Sequence, residues 1–416
     1  MKKNDNSSTK SEPCRKQPKS RVSLQRDTKE VMAELLGKLA EKLDAKAISA
    51  SAGKEQQRGG LRPNLDRLTV GVDLGDQWSV YSILGLEGEA LIEGRLQMTK
   101  ETVAKFFQGL PAARVVIEVG THSAWVREEI SGYGHEVLVA NPRLMEGSKR
   151  RKRKNDRIDA NKLARLGRMD PQSLHPIQHR SAEVRQDLVI LRARDALVAV
   201  RTELINTTRG LVKSVGARLP KCASPSFPQK VAESIPAEIR EALLPLVQLV
   251  AAISDSIQEY DKQVEELGSE KYGHTKLVRQ VTGVGPVTAL AYVLTLENPN
   301  RFVKSRDVGP YLGLVPNQED SGDIQPQLGI SKAGDMMLRR LLVGSAHYIL
   351  GPFGPDTDLR RYGLRLCERG GKNAKKRAAV AVARKLAVLL HHLWVSGEVY
   401  EPLRNGWSAT TRPAAA

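Results

Sequence analysis

Two aspartates, Asp156 and Asp159, follow a run of six consecutive basic side chains at the point where a helical pattern begins. Residues three positions apart lie on the same face of a helix, so the two carboxylates would face the same way. Such a pair can hold a hard divalent cation, and a basic run can bind phosphate groups. A protein that cleaves nucleic acid requires both functions. The basic residues are Lys149, Arg150, Arg151, Lys152, Arg153 and Lys154.

Two further carboxylates occur in stretches that are typical of buried strands. Asp73 lies inside the apolar segment VGVDLG, and Glu118 ends the segment RVVIE. Cleavage of a phosphodiester by two metal ions needs carboxylates that bridge the ions, and ligands that offer only oxygen favour Mg²⁺ or Mn²⁺. The alternative for Asp73 is a turn residue, which would be costly inside a strand. The alternative for Asp156 and Asp159 is a helix cap with a solvated acid in the first turn.

A second candidate site surrounds Ser331, on a glycine-flanked loop before a predicted helix. Free amides and the positive end of the helix dipole would hold a phosphate there, with Lys332, Arg339 and Arg340 adding positive charge. A serine in this position can attack phosphorus and form a covalent intermediate. Residue type alone favours a simpler role, in which Ser331 caps the helix. Ser321 is the competing nucleophile, and its chemistry does not separate it from Ser331.

The composition narrows the class of partner. The 416 residues carry a net charge of +18, which indicates a polyanion such as DNA or RNA. Aromatic residues make up 4% of the chain, which argues against a single-strand binder that depends on many stacking platforms. The three cysteines are far apart and predict neither a disulfide framework nor a zinc site. We found no apolar run of transmembrane length and no secretory signal, so we expect a soluble intracellular protein without a membrane partner.

The order of predicted elements indicates the fold of the first half. Strands are predicted at residues 68–74, 79–84, 89–96, 114–119 and 136–140, and helices at 100–110, after Thr121, and at 158–167. Three strands in a meander followed by alternating helices and strands are the order expected of a ribonuclease-H-like domain. In that topology the first and fourth strands are neighbours. Asp73, Glu118, Asp156 and Asp159 would therefore converge at one edge of the sheet.

The second half is predicted to be mostly helical, which makes the chain α/β followed by all-α. Helical patterns over 180–218 and 236–268 predict an antiparallel arm about 50 Å long. The arm is either a coiled-coil dimerisation element, which we prefer, or a hairpin within one chain. Gly283 and Gly285 form a Gly-x-Gly turn that resembles a helix-hairpin-helix, although a simple tight turn explains it as well. Further helices are predicted at 336–350 and 374–393.

These patterns divide the chain into five segments. A polar, basic extension is expected to be disordered, apart from a helical pattern over 29–43 that is either a docking helix or a marginal helix. A compact α/β domain, the helical arm, a compact C-terminal domain and a loose tail follow it. The boundaries are 1–66, 67–170, 171–273, 274–402 and 403–416.

Several motifs over residues 67–402 resemble one known family. They are GVDLG, IEVGTHSAW and KNDRIDA in the first half, and VTGVGPVTA, YLGLVP, Ser321-Gly322 and GISKAGDMMLRRLL in the second. On these motifs the chain resembles the DEDD-type insertion-sequence transposases, which include Piv-like invertases and bridge-RNA-guided recombinases. The extension before the first strand is longer than the family pattern.

The resemblance implies a RuvC-like domain whose four carboxylates bind Mg²⁺, a helical arm and a transposase domain with a catalytic serine. Ser331 corresponds to that serine and would form a transient link to DNA. The resemblance also implies double-stranded donor and target DNA, a guide noncoding RNA, and a dimer or tetramer in which one subunit's serine meets another's carboxylates. The host would be a prokaryote, with the protein in the cytoplasm at the nucleoid.

Three functions remain open on the sequence. The first is a recombinase that uses serine and is guided by RNA. The second is a metal-dependent nuclease or junction resolvase that hydrolyses DNA with the carboxylates alone, and the third is a binding protein without catalysis. The intact acids argue against the third, and the C-terminal domain with its Ser-Lys-x-Gly loop argues against the second.

Overall fold

A computed structural model describes residues 67–145, 155–318 and 328–404, together with Ala33, Glu34 and Gly37. Most of the predicted 29–43 helix, the basic run 149–154 and Ser321 lie outside these residues. The chain divides into two compact units, residues 1–179 and 180–416.

A five-stranded mixed sheet forms the centre of the first unit. The strand order is β3-β2-β1-β4-β5, with β1 antiparallel to β2, β2 antiparallel to β3, and β4 parallel to both β1 and β5. The predicted strands are confirmed to within two residues at each end, and so is the pairing of the first strand with the fourth. The topology is consistent with a ribonuclease-H-like domain. The strands are β1 (Thr69–Asp73), β2 (Trp78–Leu84), β3 (Ala90–Gln97), β4 (Arg114–Glu118) and β5 (Glu136–Ala140).

Three helices cover the two faces of this sheet. They are α1 (Lys100–Gln108), α2 (Ser123–Gly132) and α3 (Asp156–Met169). Helices α1 and α2 contribute Phe106 and Ile130 to a core that includes Val72 of β1. Helix α3 packs on the opposite face, where Leu163 joins Val116 of β4. Because successive strand residues point to opposite faces, residues 71 and 73 of β1 share the face that α3 covers.

The second unit is helical. Over its described residues, 180–318 and 328–404, two long helices come first, with a short helix between them, and six shorter helices follow. In chain order they are α4 (Ala182–Ser214), α5 (Phe227–Val231), α6 (Ala237–Glu266), α7 (Thr275–Val278), α8 (Pro286–Leu296), α9 (Val308–Tyr311), α10 (Met336–Leu350), α11 (Asp358–Glu368) and α12 (Ala374–Ser396). Helix α11 and the short helices α5, α7 and α9 were not predicted from the sequence.

Helices α4 and α6 pack antiparallel against each other within one chain. Arg194 donates to Asp261 at 2.6 Å, and further along Arg201 donates to Ser254 at 3.4 Å. As the residue numbers in α4 increase, the residue numbers of their partners in α6 decrease, so the two helices run antiparallel. The two helices therefore form an intramolecular hairpin, one of the two arrangements that the sequence left open. A coiled coil between subunits stays a prediction.

The core of the second unit lies around α8 and α12, where Leu290 and Leu386 are fully buried. By length and composition alone, α12 could cross a membrane. The sequence analysis predicted no apolar run of transmembrane length, and α12 is an exception to that prediction. Since 56% of the most apolar part of α12 is buried, and core helices of soluble proteins share this length and composition, the finding is weak evidence for a membrane span. Packing against the other helices accounts for the apolar residues.

The predicted Gly-x-Gly turn connects α7 to α8. Gly283 adopts φ +96°, a left-handed conformation that favours glycine, and Pro286 is the first residue of α8. A Cβ at position 283 would lie 3.1 Å from the ring of Tyr348. Glycine is therefore favoured at position 283 both by the backbone conformation and by the close packing against α10.

Candidate active site

Three of the four predicted carboxylates come together at one end of the sheet. Asp73 is the last residue of β1, and Asp156 and Asp159 lie in the first turn of α3. One oxygen from each carboxylate lies within 4.8 Å of the others. Asp156 is exposed, and the other two are half-buried. The structure therefore assembles the carboxylate group from two segments that are more than 80 residues apart in sequence.

The position of α3 over β1 depends on Gly71. A Cβ at position 71 would lie 2.0 Å from the carbonyl oxygen of Ala160 and 2.5 Å from the backbone nitrogen of Ala164, both in α3. Ala160 and Ala164 are fully buried. Small residues on both sides let the backbones approach closely, and this contact lies two residues before Asp73. The first turn of α3 is thereby held against the end of β1.

Other contacts fix α3 along its length. A Cβ at Gly167 would lie 2.2 Å from a methyl group of Val116 in β4, so the C-terminal part of α3 also lies close to the sheet. The buried Arg114 donates to the carbonyl oxygen of Gly167 at 2.9 Å. The side-chain amide of Asn161 donates to Ser82 of β2 at 3.1 Å. These contacts orient the helix that carries Asp156 and Asp159.

The cap of α3 is Asn155, not Asp156. The Asn155 side chain accepts a hydrogen bond from the backbone N–H of Arg157. The alternative in which Asp156 serves as the N-cap is therefore wrong, because Asn155 caps the helix. Asp156 and Asp159 lie inside the first turn, where the helix dipole favours negative charge.

Glu118 lies at the same end of the sheet, as the last residue of β4. The parallel pairing of Val72 with Ile117 makes Glu118 the next neighbour of Asp73, and strand alternation assigns both to the face that α3 covers. Among the described residues, the group within 4.8 Å contains the three aspartates without Glu118. Its membership in a metal centre stays a prediction.

The three aspartates fit a hard divalent cation. In an octahedral magnesium site with metal–oxygen distances of about 2.1 Å, neighbouring ligands lie about 3.0 Å apart and opposite ligands about 4.2 Å apart. Separations of up to 4.8 Å reach this range after small side-chain rotations. All the candidate ligands are oxygens, which Mg²⁺ and Mn²⁺ prefer.

In the second unit, Ser331 lies on a loop held by backbone hydrogen bonds. Its N–H donates to the carbonyl oxygen of Val315 at 2.9 Å, and Ile330 forms a β-bridge with Pro316. Lys332 adopts φ +53°, and its N–H donates to Gly313. A Cβ at Gly313 would lie 2.3 Å from the backbone of Ala333. The serine is thus half-buried on a tightly constrained turn.

Ser331 is not the cap of α10. That helix begins at Met336, and the side chain of Asp335 accepts a hydrogen bond from the N–H of Leu338 at 2.9 Å. The capping role that residue type favoured for Ser331 is therefore wrong. The expected binding of a phosphate at this helix end stays a prediction; the Asp335 carboxylate accepts from one of its backbone N–H groups. Ser331 instead accepts from the N–H of Ala333 at 3.5 Å.

The arginines predicted to bind phosphate also make contacts within the protein. Arg339 donates to the carbonyl oxygens of Leu312 and Ala333 and so holds the Ser331 loop. Arg340 forms an ion pair with Asp195 of α4, and this hydrogen bond raises the pKa of Arg340. Lys332 is exposed. A role in nucleic-acid binding stays a prediction for all three residues.

Comparison with known proteins decides the family. A model of DEDD transposases from IS110 elements matches residues 70–216, the span that holds all four predicted carboxylates. A model described as the transposase IS116/IS110/IS902 family matches residues 275–356, which contain Ser321 and Ser331. The chain belongs to the DEDD-type insertion-sequence transposases.

Similar proteins with curated names cover most of this transposase. It is 29% identical over 343 residues to the transposase for insertion sequence element IS1111A of Coxiella burnetii, which spans 80% of this chain and 90% of the relative. It is also 29% identical over 350 residues to a probable family 20 transposase of Pseudomonas aeruginosa, spanning 82% and 99%. The transposase for insertion sequence element IS1328 of Yersinia enterocolitica is 27% identical over 285 residues, spanning 67% and 82%.

The transposase has a further polar pair at the carboxylate end of the sheet. His122, in the loop after β4, lies 3.7 Å from Asp76, in the turn after β1, and Trp125 donates to the other ring nitrogen at 3.1 Å. Sequence reasoning named neither residue. The predicted pairing of β1 with β4 could have identified both residues, because the loops that follow two paired parallel strands meet at the same edge of the sheet.

Replacing Gly71 of the transposase with alanine will disturb the carboxylate group. The new methyl would overlap the α3 backbone, so we expect a loss of about 1–3 kcal/mol in the free energy of unfolding and weaker Mn²⁺ binding. Chemical denaturation and Mn²⁺ titration measure the two effects.

The matched control is Gly132→Ala, where a Cβ would meet nothing within 4 Å. This change should leave both quantities at wild-type values or raise stability slightly. If Gly71→Ala also behaved as wild type, the close approach of α3 to β1 would not position the carboxylates.

Proposed function

We propose that this transposase cuts and rejoins DNA through a serine–DNA intermediate, with a divalent cation held by carboxylates. The observation that carries the proposal is the convergence of Asp73, Asp156 and Asp159 within 4.8 Å. Mg²⁺ or Mn²⁺ is the proposed ion, with Glu118 as a further ligand. When bound, the ion stabilises charge on the attacking and leaving oxygens.

The proposed chemistry is transesterification. The hydroxyl oxygen of the serine forms a bond to phosphorus, and the bond from phosphorus to one DNA oxygen breaks. The serine proton leaves to solvent or a nearby base, and the released DNA oxygen takes up a proton. Attack by the hydroxyl of a second DNA end then reverses these steps. Each step exchanges one phosphate ester for another, so no external energy source is consumed.

Ser331 is the proposed nucleophile on the resemblance, and Ser321 is the alternative. At the start of α10, Asp335 caps the helix and accepts from one of the N–H groups that were expected to hold a phosphate beside Ser331. The constrained backbone around Ser331 supports a positioned side chain. Ser321 lies outside the described residues, so both serines are to be tested side by side.

Recognition of nucleic acid is proposed to involve both DNA and RNA. The net charge of +18 supports a polyanionic partner. We propose that donor and target DNA are double-stranded, that a noncoding RNA guides their selection, and that the basic run 149–154 contacts nucleic-acid backbones. The proposed location is the cytoplasm of a prokaryotic cell, at the nucleoid.

Association of subunits is proposed to use the exposed face of α4. Val189, Val200 and Leu211 are 59%, 44% and 45% exposed, and eleven residues separate each from the next. Eleven residues make three helical turns, so these three side chains lie on one line along the helix, about 16 Å apart, and this line is called the stripe. A second copy of α4 would cover it and produce a dimer or a higher assembly in which one subunit's serine meets another's carboxylates.

Charge placed on the stripe should separate the subunits. We expect Val200→Glu with Leu211→Glu to lower the mass in light scattering to that of one chain. The control is Thr202→Glu with Asn206→Glu, which adds the same charge at exposed positions off the stripe. An unchanged mass in the stripe variant would exclude α4 as the interface.

One experiment tests the proposed reaction and its guide together. The full chain is purified with its bound RNA, which is sequenced, and is then incubated with Mg²⁺ and DNA that carries the element's ends. We expect one structured RNA and a protein–DNA adduct that survives denaturation. Digesting the RNA beforehand should prevent the adduct.

Other outcomes would favour different functions. Random RNA fragments, or an adduct that is indifferent to RNA digestion, would contradict the guided recognition. Cleaved DNA with free ends and no adduct would favour the hydrolytic nuclease.

A further inference from the structure

A groove of about 980 Å³ lies in the second unit beside the Ser331 loop. One wall is α12, another is the start of α11, and the segments around residues 328–330 and 399–404 complete it. Gly329 and Ile330 line the groove, and Ser331 follows them directly. The groove therefore borders the loop that carries one of the two candidate nucleophiles, while Ser331 itself is not among the lining residues. Its composition combines a charged rim with an apolar floor.

The rim is strongly basic along α12. Four exposed cations of this helix line the groove as two adjacent pairs, and Arg404 adds a fifth cation that already pairs with Glu398. The carboxylates in the lining are Asp358 and Glu401. Within the part of the chain that the structure describes, no carboxylate lies within ion-pair distance of the α12 cations. These cations are Lys376, Arg377, Arg384 and Lys385.

The floor between the two pairs is apolar. Val380 and Ala381 lie between them on α12, Val388 and Leu389 follow, and Leu359 of α11 lines the other side. The two basic pairs are eight residues apart, which is about 12 Å along a helix. An elongated ligand with repeated negative charges and flat apolar faces matches this pattern of two charged positions with an apolar surface between them.

We propose that this groove binds an unpaired DNA strand next to the reactive serine, with phosphates on the α12 cations and bases against the apolar floor. This inference rests on the proposed function for the choice of DNA. It adds to that function a site where DNA binds, and it specifies that the bound strand is unpaired.

The apolar floor favours an unpaired strand over a duplex. In a duplex the base faces are stacked inside the helix and only the base edges are accessible in the grooves. A single strand can turn its base faces onto a protein surface. The floor between the basic pairs of α12 is aliphatic; two tyrosines, Tyr362 and Tyr400, also line the groove, and Lys385 lies 3.9 Å from the centre of the Tyr362 ring. The low aromatic content of the chain is compatible with such a floor.

The charge argues against the chain's own end as the occupant. Two segments adjoin the groove in sequence: residues 405–416 follow the groove-lining Arg404, and residues 319–327 precede the groove-lining Leu328. The first contains Arg412 and no acidic residue, so it does not complement a basic rim. The second carries three acidic residues, Glu319, Asp320 and Asp323, and is the competing occupant that the test separates from DNA. A polyanion complements the basic rim, and the net charge of the whole chain supports the same conclusion.

The test measures binding without chemistry. Ser321→Ala with Ser331→Ala in the full chain, with EDTA present, removes both candidate nucleophiles and the metal. Fluorescence anisotropy then reports binding of a short labelled DNA strand, the same strand as a duplex, and an RNA strand of the same sequence. Adding Arg384→Gln with Lys385→Gln should weaken single-strand DNA binding at least about tenfold and lower the salt slope by roughly 1.4. Duplex binding should change much less.

Two further variants complete the design. Lys372→Gln with Lys375→Gln removes the same charge from exposed residues that do not line the groove, and single-strand binding should stay near the wild-type value. Ala381→Trp fills the floor without changing charge and should weaken single-strand binding, while circular dichroism checks that the helices remain folded.

Each remaining outcome overturns the proposal in a defined way. Equal losses in the groove and control variants would make the effect one of net charge alone. Equal losses for duplex and single strand would exclude selection of unpaired DNA, and a loss confined to RNA would assign the groove to RNA. Tighter single-strand binding after removal of residues 405–416, or after Glu319→Gln with Asp320→Asn and Asp323→Asn, would identify that segment of the chain as the occupant. Since no catalysis is measured, these results are independent of whether the serine reaction occurs.

Discussion

Replacing Asp73 with asparagine will reduce metal-dependent DNA cleavage by about 10³-fold or more, if a bound ion supplies several kcal/mol of transition-state stabilisation. Asparagine keeps the size of the side chain and removes its charge at the centre of the carboxylate group. Asp73 ends β1, beside the first turn of α3, so its loss opens the group on the sheet side. Cleavage of labelled DNA measures the rate, and Mn²⁺ titration measures binding of the ion.

Asp76→Asn is the matched control for this change. Asp76 lies in the turn after β1, its side chain is 94% exposed, and it is outside the carboxylate group. We expect cleavage within a few-fold of wild type in this variant. Wild-type cleavage in Asp73→Asn would remove the carboxylate group from the reaction. Equal losses in both variants would show only that this edge of the sheet tolerates no change.

The second large effect is expected at the serines. Removing the true nucleophile leaves no oxygen to form the protein–DNA bond, so the adduct should disappear rather than decrease. We expect this result for Ser331→Ala, with DNA and RNA binding retained. Adduct yield on a denaturing gel and binding by anisotropy are the two measurements, and Ser321→Ala is made in parallel.

Each of the two serine variants is the control for the other. An adduct that persists in Ser331→Ala and disappears in Ser321→Ala would transfer the role to Ser321. Adducts in both single variants and in the double variant would exclude both serines. A Ser331→Ala protein that no longer binds DNA would indicate a disturbed loop, and Ser331→Cys would then test whether a side chain of similar size restores binding.

The sheet and its carboxylates were largely predictable from the sequence because the local patterns are strong. Short apolar strands separated by turns fixed the element order, and that order made β1 and β4 neighbours. Residues three apart in one helical turn placed Asp156 and Asp159 together. What the sequence did not show is why α3 lies on β1, since Gly71 matters only through its distance to the α3 backbone.

The serine loop shows where local patterns were insufficient. A serine before a helix suggested a cap or a phosphate cradle at that position, yet Asp335 is nearer to the helix start and takes the cap. Ser331 is placed instead by pairing with residues 313–316, which are distant in sequence. The groove beside it was equally hidden, although the basic residues of α12 were visible, because its apolar floor comes from several segments.

The most direct test of the account is the identity of the bond between protein and DNA. Transposase and element-end DNA are incubated with Mg²⁺, the complex is denatured and digested, and the linked peptide is sequenced by mass spectrometry. We expect one serine to carry a nucleotide through its hydroxyl oxygen, at position 331 or 321, and we expect no linked peptide from Asp73→Asn. Cleaved DNA with free ends and no linked serine peptide would contradict the account.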